Sequence, residues 1–427
     1  MATSVAKKPK LKKGAGQLAR TVRSLVAITS LGVVLAVYNA ISLRRDVSVA
    51  IGPEGKAQEL FFVGAAERPD ISTFFKHLTP SQRLAMSKNV GRYTDPELAK
   101  LCGKCLETFD PAARAALTES LALVAKAHPS AAAALLSLPG SFQQIAISTS
   151  LRRTGDAALP LVAKQFSNGD ARPNAIAFLV ATGAAAIDPT LPYLDDANKD
   201  VRLAAADTLG KLHARKAVAR LTAKFSASQN DEQLAYLTAL ASIGDPSSEG
   251  LMRQTLLDAT LSTPHRAQAA LGLGAIASRE ALATLWKYSN EPDKSLSASA
   301  ITGLRLAGDP ALHLATSGQI ALSRPAILSV AAGIHSPFSD SLVRSALIEP
   351  KSLVIAASAA GNRPTLVPDL TKAVLRLNSD TEGDQIDTIL KALSTTTEGR
   401  AQFKLLENQT QNPSLIALCV RRSSLRR

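Results

Sequence analysis

Apolar residues recur along most of this chain with the three-to-four-residue spacing of amphipathic helices, in units of roughly 30 residues. The clearest unit runs from Asp200 to Leu221 (DVRLAAADTLGKLHARKAVARL) and has an apolar helical face on each side of His213-Ala214. A helix pair of that length cannot bury its own apolar face, so it packs against its neighbours. The pattern predicts an all-α chain of stacked helix pairs from roughly residue 115 to the C-terminus.

Short turn signals separate the two helices of each predicted pair, at intervals of about 26 to 33 residues. Glycine favours the left-handed conformation that ends a helix, Asp caps the next helix, and Pro fits the first helical turn. The signals are Gly155-Asp156, Asp188-Pro189, His213-Ala214, Gly244-Asp245-Pro246, Ala277-Ser278, Gly308-Asp309-Pro310, Ser336-Pro337 and Asn362-Arg363-Pro364.

Three short motifs fall where short bacterial HEAT repeats have them: Asp200-Val201-Arg202, Ala205-Ala206 and Leu209-Gly210. Residues 266–285 and 297–314 are partial copies, whereas residues 331–365 depart from the pattern with three prolines. The chain therefore resembles the HEAT-repeat family over about 300 residues. The resemblance implies a right-handed α-solenoid of about nine helix pairs. It implies no activity, because HEAT-like families include scaffolds, transport factors, bilin-attachment enzymes and a DNA-repair glycosylase.

The 19 uncharged, mostly apolar residues from Leu25 to Leu43 match the length of about 20 residues that a helix needs to cross a bilayer. Seven basic residues precede this segment and two follow it, so the positive-inside rule places the N-terminus in the cytoplasm. We expect an uncleaved single-pass anchor in a bacterial inner membrane, with the repeats in the periplasm. A cleaved signal peptide and an organelle transit segment remain alternatives.

The predicted membrane helix carries a ridge of small residues. Gly32, Ala36 and Ala40 are spaced by four positions, which places them on one helix face. Ridges of this kind let two membrane helices approach closely, so they offer a route to a homo-oligomer. Gly and Ala are also common in membrane helices that do not associate.

Residues 46–65 read as extended, because Val47, Val49 and Ile51 alternate before a turn at 52–55 and a second apolar run. A membrane helix followed by an extended pair resembles the membrane-proximal part of envelope secretion-system subunits. Helix-start signals then recur at Thr79-Pro80, at 94–97 and at Asp110-Pro111. The predicted domains are a basic tail (1–24), the anchor (25–43), an extended linker (44–70), a helical cap (71–128) and the repeats (129–427).

The net charge of +14 is concentrated at the two ends of the chain. Residues 1–45 hold nine basic residues and no acid, and the last seven residues hold four arginines. The remaining residues are therefore nearly neutral, which gives no support for a nucleic-acid groove along the repeats. With aromatic residues at 4%, small aliphatic side chains carry most of the apolar surface.

Cys102 and Cys105 have C-x-x-C spacing, and Cys419 stands alone. No second pair or nearby His completes a zinc site, and Leu106 stands where c-type haem attachment needs His. The pair is therefore left as ordinary thiols, a local disulfide, or a metal or redox pair. The six scattered histidines, without a His-Glu dipeptide, do not favour a di-iron hydroxylase. We expect no enzyme, no catalytic residue, no cofactor and no metal.

Trp286 and Tyr288 are expected to fill the core between repeats, with a partner-binding anchor as the alternative. The function that fits these features is a membrane-anchored scaffold or adaptor in a bacterial cell-envelope assembly for secretion, pili, motility or envelope maintenance. Its partners would be proteins bound on the helical-repeat surface. Two alternatives remain, a cytoplasm-facing adaptor and a cofactor-attachment lyase or chaperone-like enzyme.

Overall fold

The computed structural model describes residues 42–68, 71–106, 108–377, 382–409, 416–417 and 419–420. Within these ranges the ordered backbone is helical, and no residue is in a β-strand. The all-α prediction is therefore confirmed for this part of the chain. The chain divides into two compact units, Met1–Ala181 and Thr182–Arg427, and each is described by itself.

The first unit begins, in its described part, with a helical segment over residues 42–51. Most of the later helices start at Pro or follow a polar cap, as the sequence predicts. Its α-helices are α1 (Lys56–Glu67), α2 (Ile71–Lys76), α3 (Pro80–Val90), α4 (Glu97–Leu106), α5 (Pro111–Ala127), α6 (Pro129–Ala134), α7 (Ser141–Arg152), α8 (Leu159–Ala163) and α9 (Arg172–Thr182), whose last residue belongs to the second unit.

The second unit continues with helices of similar length. Short 3-10 turns join several of them, including Gly183–Ala186, Leu191–Asp195 and Pro246–Ser248. Its α-helices are α10 (Ile187–Thr190), α11 (Lys199–Lys211), α12 (Val218–Ala227), α13 (Asn230–Ile243), α14 (Glu249–Leu257), α15 (Thr263–Ile276), α16 (Arg279–Tyr288), α17 (Lys294–Ala307), α18 (Asp309–Thr316), α19 (Arg324–Ala331), α20 (Pro337–Ala346), α21 (Leu353–Ala360), α22 (Val367–Arg376), α23 (Gly383–Leu393) and α24 (Thr397–Gln409).

The helices pack in two layers. We call the odd-numbered helices from α3 onward A helices and the even-numbered helices from α4 onward B helices. In the second unit each A helix from α11 to α21 packs on the next A helix. Along the B layer α14 packs on α16, α16 on α18, and α18 on α20. The first unit repeats the arrangement, with α3 on α5 on α7 and α4 on α6 on α8. Each unit is therefore a stack of helix pairs.

The predicted turn signals coincide with left-handed backbone. Positive φ angles occur at six of the eight signals: Gly155, His213, Gly244, Ala277, Gly308 and Asn362. At a seventh, Ser336 caps α20 by accepting a hydrogen bond from the Ser339 amide. The eighth prediction, a turn at Asp188-Pro189, is wrong. The chain turns earlier, at Gly183 with φ 81°, and Asp188-Pro189 lie inside α10, because Pro is well tolerated in the first turn of a helix.

A side chain near the start of each of seven A helices holds the preceding linker. In α11 the guanidinium of Arg202 donates to the carbonyl of Asp196 at 2.8 Å and to Glu232 Oε1 at 2.7 Å. The same donation to a preceding carbonyl is made by Arg83, Gln144, Arg172, Gln233, Arg266 and Ser297. The Arg of the repeat motif is therefore structural, since it satisfies carbonyls that a helix end leaves open.

The prediction of an extended segment over 46–65 is wrong. Residues 42–51 and 56–67 are both helical, and the residues between them form the turn. The buried residues of α1 are Gln58, Phe62, Ala65 and Ala66, which have helical spacing. The alternation of Val47, Val49 and Ile51 was too short to distinguish a strand from a helix. Gln58 Nε2 donates to the carbonyls of Val49, Ala50 and Gly52 and so caps the end of the preceding helix.

Several predictions fall outside the described residues or are left open. The basic tail and the segment from Leu25 to Leu43 lie outside them apart from residues 42 and 43, as do Gly32, Ala36 and Ala40. Within the described residues one helical stretch, Arg172–Asp195, is long and apolar enough to cross a membrane by length and composition. It is broken at Gly183 into α9 and α10, so it is not one continuous α-helix.

Candidate functional site

The C-x-x-C pair lies on α4 and is buried. Cys102 and Cys105 are both free thiols with no exposed surface, and Cys419 is buried as well. Burial raises the pKa of the Cys102 thiol to about 12 and that of Cys105 well above its ordinary value. Because the thiolate is the reactive and metal-binding form, a buried neutral pair is poorly suited to either role.

Two other side chains that could support chemistry, Trp286 and His265, are buried and hydrogen-bonded within the fold. Trp286 is fully buried and its indole Nε1 donates to the Ala311 carbonyl at 3.1 Å, which confirms its expected place in the core. His265 is buried, with Nδ1 2.7 Å from Ser262 Oγ. Within the described ranges no three His, Cys, Asp or Glu residues are grouped so that they could hold a metal ion.

Charged side chains are unevenly distributed over the helices of the second unit. Ion pairs link successive B-layer elements, such as Lys224 with Asp195 at 2.7 Å and Arg344 with Asp369 at 2.8 Å. By contrast, the A helices α15, α17, α19 and α21 contain no acidic residue. The low charge of the A layer is confined to these four helices, since α11, α13 and α23 do contain acidic residues.

The first unit has two adjoining grooves on its A face. One, of about 440 Å³, lies between α5 and α7, and the other, of about 340 Å³, lies between α7 and α9. Ile145 and Thr149 line both grooves and form the ridge between them. Ile145 is 65% exposed, as much as any large apolar side chain in the described chain.

The walls of these grooves are mostly uncharged. Apolar lining comes from Leu106, Ala115, Ala146 and Ala177 beside Ile145, with Phe178 largely buried beneath. The hydroxyls of Thr118 and Thr149 donate to the carbonyls of Arg114 and Ile145 in their own helices, at 2.9 and 2.7 Å. These protons are therefore already satisfied. The groove between α5 and α7 is therefore mainly apolar, whereas the groove between α7 and α9 also has the polar side chains of Gln144, Ser148 and Asn174 on its walls.

The second unit has a comparable groove between α11 and α13, of about 460 Å³. Leu203, Leu234 and Thr238 line it together with Asp207, Lys211 and Asp231. Lys211 and Asp207 pair within α11 at 2.8 Å. This groove has no large apolar side chain as exposed as Ile145.

Sequence reasoning did not identify Ile145. The signal is present, because the buried residues of α7 include Gln143, Ile147, Ser150 and Leu151, and Ile145 falls off that helical face. An isoleucine on the polar side of an A helix could have been singled out on that ground.

No protein-family model and no curated protein matches this chain. Among solved structures, human deoxyhypusine hydroxylase in complex with glycerol is similar over 62% of this chain and 95% of its own, at 14% identity and a TM-score of 0.27. An engineered protein is similar over 89% of this chain and 97% of its own, at 15% identity and a TM-score of 0.35. Kap95p, from a structure with RanGDP, matches over 93% of this chain and 64% of its own, at 11% identity and a TM-score of 0.35. These scores carry no argument about function, and the fold described above rests on the chain's own helix packing.

Proposed function

We propose that this chain is a scaffold or adaptor, not an enzyme, and that it binds a protein partner on the A face of its first unit. The observation that carries the proposal is the exposed Ile145 on a ridge between two grooves. Exposed apolar side chains with a groove on each side provide the anchors around which protein interfaces form. The buried, neutral cysteines and the internally bonded hydroxyls of Thr118 and Thr149 also favour binding over catalysis.

The proposal includes a membrane setting. The apolar segment from Leu25 to Leu43, with its flanking basic residues, would anchor the chain in a bacterial inner membrane. The N-terminus would lie in the cytoplasm and the helical units in the periplasm. A tethered helical-repeat surface of this kind suits an envelope assembly, because the anchor holds the binding face at the membrane. The ridge of Gly32, Ala36 and Ala40 would then be available for self-association.

Reporter fusions after Arg427 test the proposed topology. Alkaline phosphatase fused there is expected to be active and β-galactosidase inactive, because the first folds across the membrane and the second only in the cytoplasm. The reverse result would place the helical units in the cytoplasm and reject the periplasmic setting. It would leave the binding surface unaffected.

Quantitative affinity capture tests the scaffold role. The full-length chain is crosslinked in native membranes and compared with Ile145→Gln and with Leu123→Gln, a matched change at a 51% exposed leucine that lines neither groove. Partner recovery should fall at least about tenfold for Ile145→Gln and stay unchanged for Leu123→Gln. Equal recovery from all three chains would contradict the proposal.

A further inference from the structure

Basic charge predominates on the A helices of the first unit. The sequences of α3, α5, α7 and α9 contain six basic residues and a single acid, Glu119. That acid is already paired, since Arg153 Nη2 donates to Glu119 Oε1 at 2.8 Å. The only charged residues that line the two grooves are Arg114 and Arg152. A partner that fills the grooves therefore meets positive charge beside apolar surface.

The shape of the surface favours a helical partner. Ile145 and Thr149 are four residues apart on α7, as are Ser148 and Arg152, so both pairs lie along ridges of the helix. A second helix packs on such a surface by placing its own ridges in the flanking grooves. Its apolar side chains would then lie against Ile145, and its flanking positions would lie close to Arg152.

The ends of the chain itself do not match this surface. Residues 1–41 contain seven basic residues and no acid, and residues 421–427 contain four arginines and no acid. Either end would bring like charge to the arginines of the grooves, which costs free energy. The occupant that fits is therefore an acidic segment.

We infer that the two grooves bind an amphipathic helix of a partner protein, with its apolar face on Ile145 and a carboxylate beside Arg152. This inference rests on the proposed function and adds the chemistry of the partner. Arg152 is exposed, whereas Arg114 has contacts inside the protein, so Arg152 carries the charge selection. The groove of the second unit differs, because Asp207 and Asp231 outnumber Lys211 on its walls.

Binding of two designed peptides tests the inference. Both are helices of about 18 residues with the same leucine face, one flanked by glutamates and its twin by lysines. Fluorescence anisotropy with the full-length chain should show the glutamate peptide binding at least about tenfold tighter at low salt. The preference should shrink as salt rises from about 0.05 to about 0.3 M, because exposed charge pairs are screened.

Three variants locate the contact. Arg152→Glu should reverse the peptide preference, Ile145→Gln should weaken the glutamate peptide at least about tenfold, and Leu123→Gln should change nothing. These positions are exposed, so circular dichroism melting should show all three folded.

The possible failures are distinguishable. Equal affinity for the two peptides, with Ile145→Gln weakening both, would overturn the acidic partner and leave the proposed binding surface intact. Binding that neither Ile145→Gln nor Arg152→Glu alters, or no binding of either peptide up to about 0.1 mM, would overturn the inference. Concentration-dependent self-association that Arg152→Glu abolishes would instead identify a second copy of this chain as the occupant, and would also overturn it.

Discussion

Gly274 and Gly303 bring two neighbouring A helices into backbone contact. A β-carbon built on Gly274 would lie 2.2 Å from the Gly303 carbonyl oxygen, and one built on Gly303 would lie 2.5 Å from the Ala270 carbonyl oxygen. Glycine at both positions is therefore required by the close approach of α15 and α17. The same stack continues at Gly210, where a β-carbon would lie 2.9 Å from the Ala239 α-carbon.

The first prediction is that Gly303→Ala lowers the free energy of unfolding by about 1–3 kcal/mol, because the added methyl group meets backbone that cannot move aside cheaply. Gly250→Ala in α14 is the matched control, since a β-carbon added there would meet no neighbouring atom within 4 Å. It should be neutral or stabilise by up to about 1 kcal/mol through helix propensity. Urea unfolding followed by circular dichroism measures both. Equal effects of the two substitutions would contradict the backbone contact.

A second prediction concerns Ala277, which ends α15 with φ 54° and ψ 26°. The left-handed conformation is unfavourable for a residue with a β-carbon. Ala277→Gly should therefore raise the free energy of unfolding by about 0.5–1 kcal/mol, and the melting temperature should rise with it. The same substitution two residues earlier, at the exposed helical residue Ala275, should cost about 1 kcal/mol. Thermal melting of both variants checks this, and a loss of stability at position 277 would refute the assigned conformation.

A third prediction follows from Glu232, whose pKa is lowered mainly by its hydrogen bond with Arg202 and also by that with Tyr236. A carboxyl with a lowered folded-state pKa adds stability above its unfolded pKa of about 4.3, and this is lost as the pH falls through the folded-state value. Glu232→Gln should therefore cost about 1 kcal/mol at pH 7 and progressively less in acid.

Unfolding of Glu232→Gln and of the parent chain at neutral and acidic pH gives the difference directly. Asp207→Asn is the control, because Asp207 and Lys211 form an exposed pair within one helix and the change should stay within about 0.5 kcal/mol. A cost of Glu232→Gln that is the same at both pH values would show that its ionised form is not what stabilises the fold.

The fourth prediction is that Cys102 and Cys105 do not react with maleimide in the folded chain. Both are fully buried, and burial raises the pKa of each thiol. Mass spectrometry should find them unmodified under native conditions and labelled after denaturation without prior reduction. Native labelling would contradict their burial, and thiols that label only after reduction would show a disulfide.

Local chemistry explains which parts of the fold could be predicted. Thr79 caps the helix start that the sequence indicates, with Gln82 completing a capping box, and Asp110 caps α5 as expected. Gly244, Asp245 and Pro246 form the predicted turn, with left-handed Gly and Asp accepting from the Ser247 amide. Such features depend on a few adjacent residues, so the sequence identifies them.

Features that depend on distant residues were not predictable from one sequence. In the sequence Arg363 is only part of a turn signal, yet its side chain is buried and donates to Asp340 Oδ1 at 2.7 Å and to the Ile334 carbonyl at 2.9 Å. The ridge at Ile145 depends on α5 and α9 lying on its two sides, which helical periodicity alone does not specify. The helix over residues 42–51 depends in part on Gln58 of α1, whose side-chain amide donates to the carbonyls of Val49 and Gly52 at the end of that helix.

Site-specific photocrosslinking at position 145 tests the central claim most directly. A photoreactive phenylalanine analogue replaces Ile145 in the full-length chain in native cells, and a second chain carries it at Leu123. We expect one discrete light-dependent adduct from position 145, none from position 123, and loss of the adduct when Arg152→Glu is added. No adduct from position 145, or the same adducts from both positions, would contradict it.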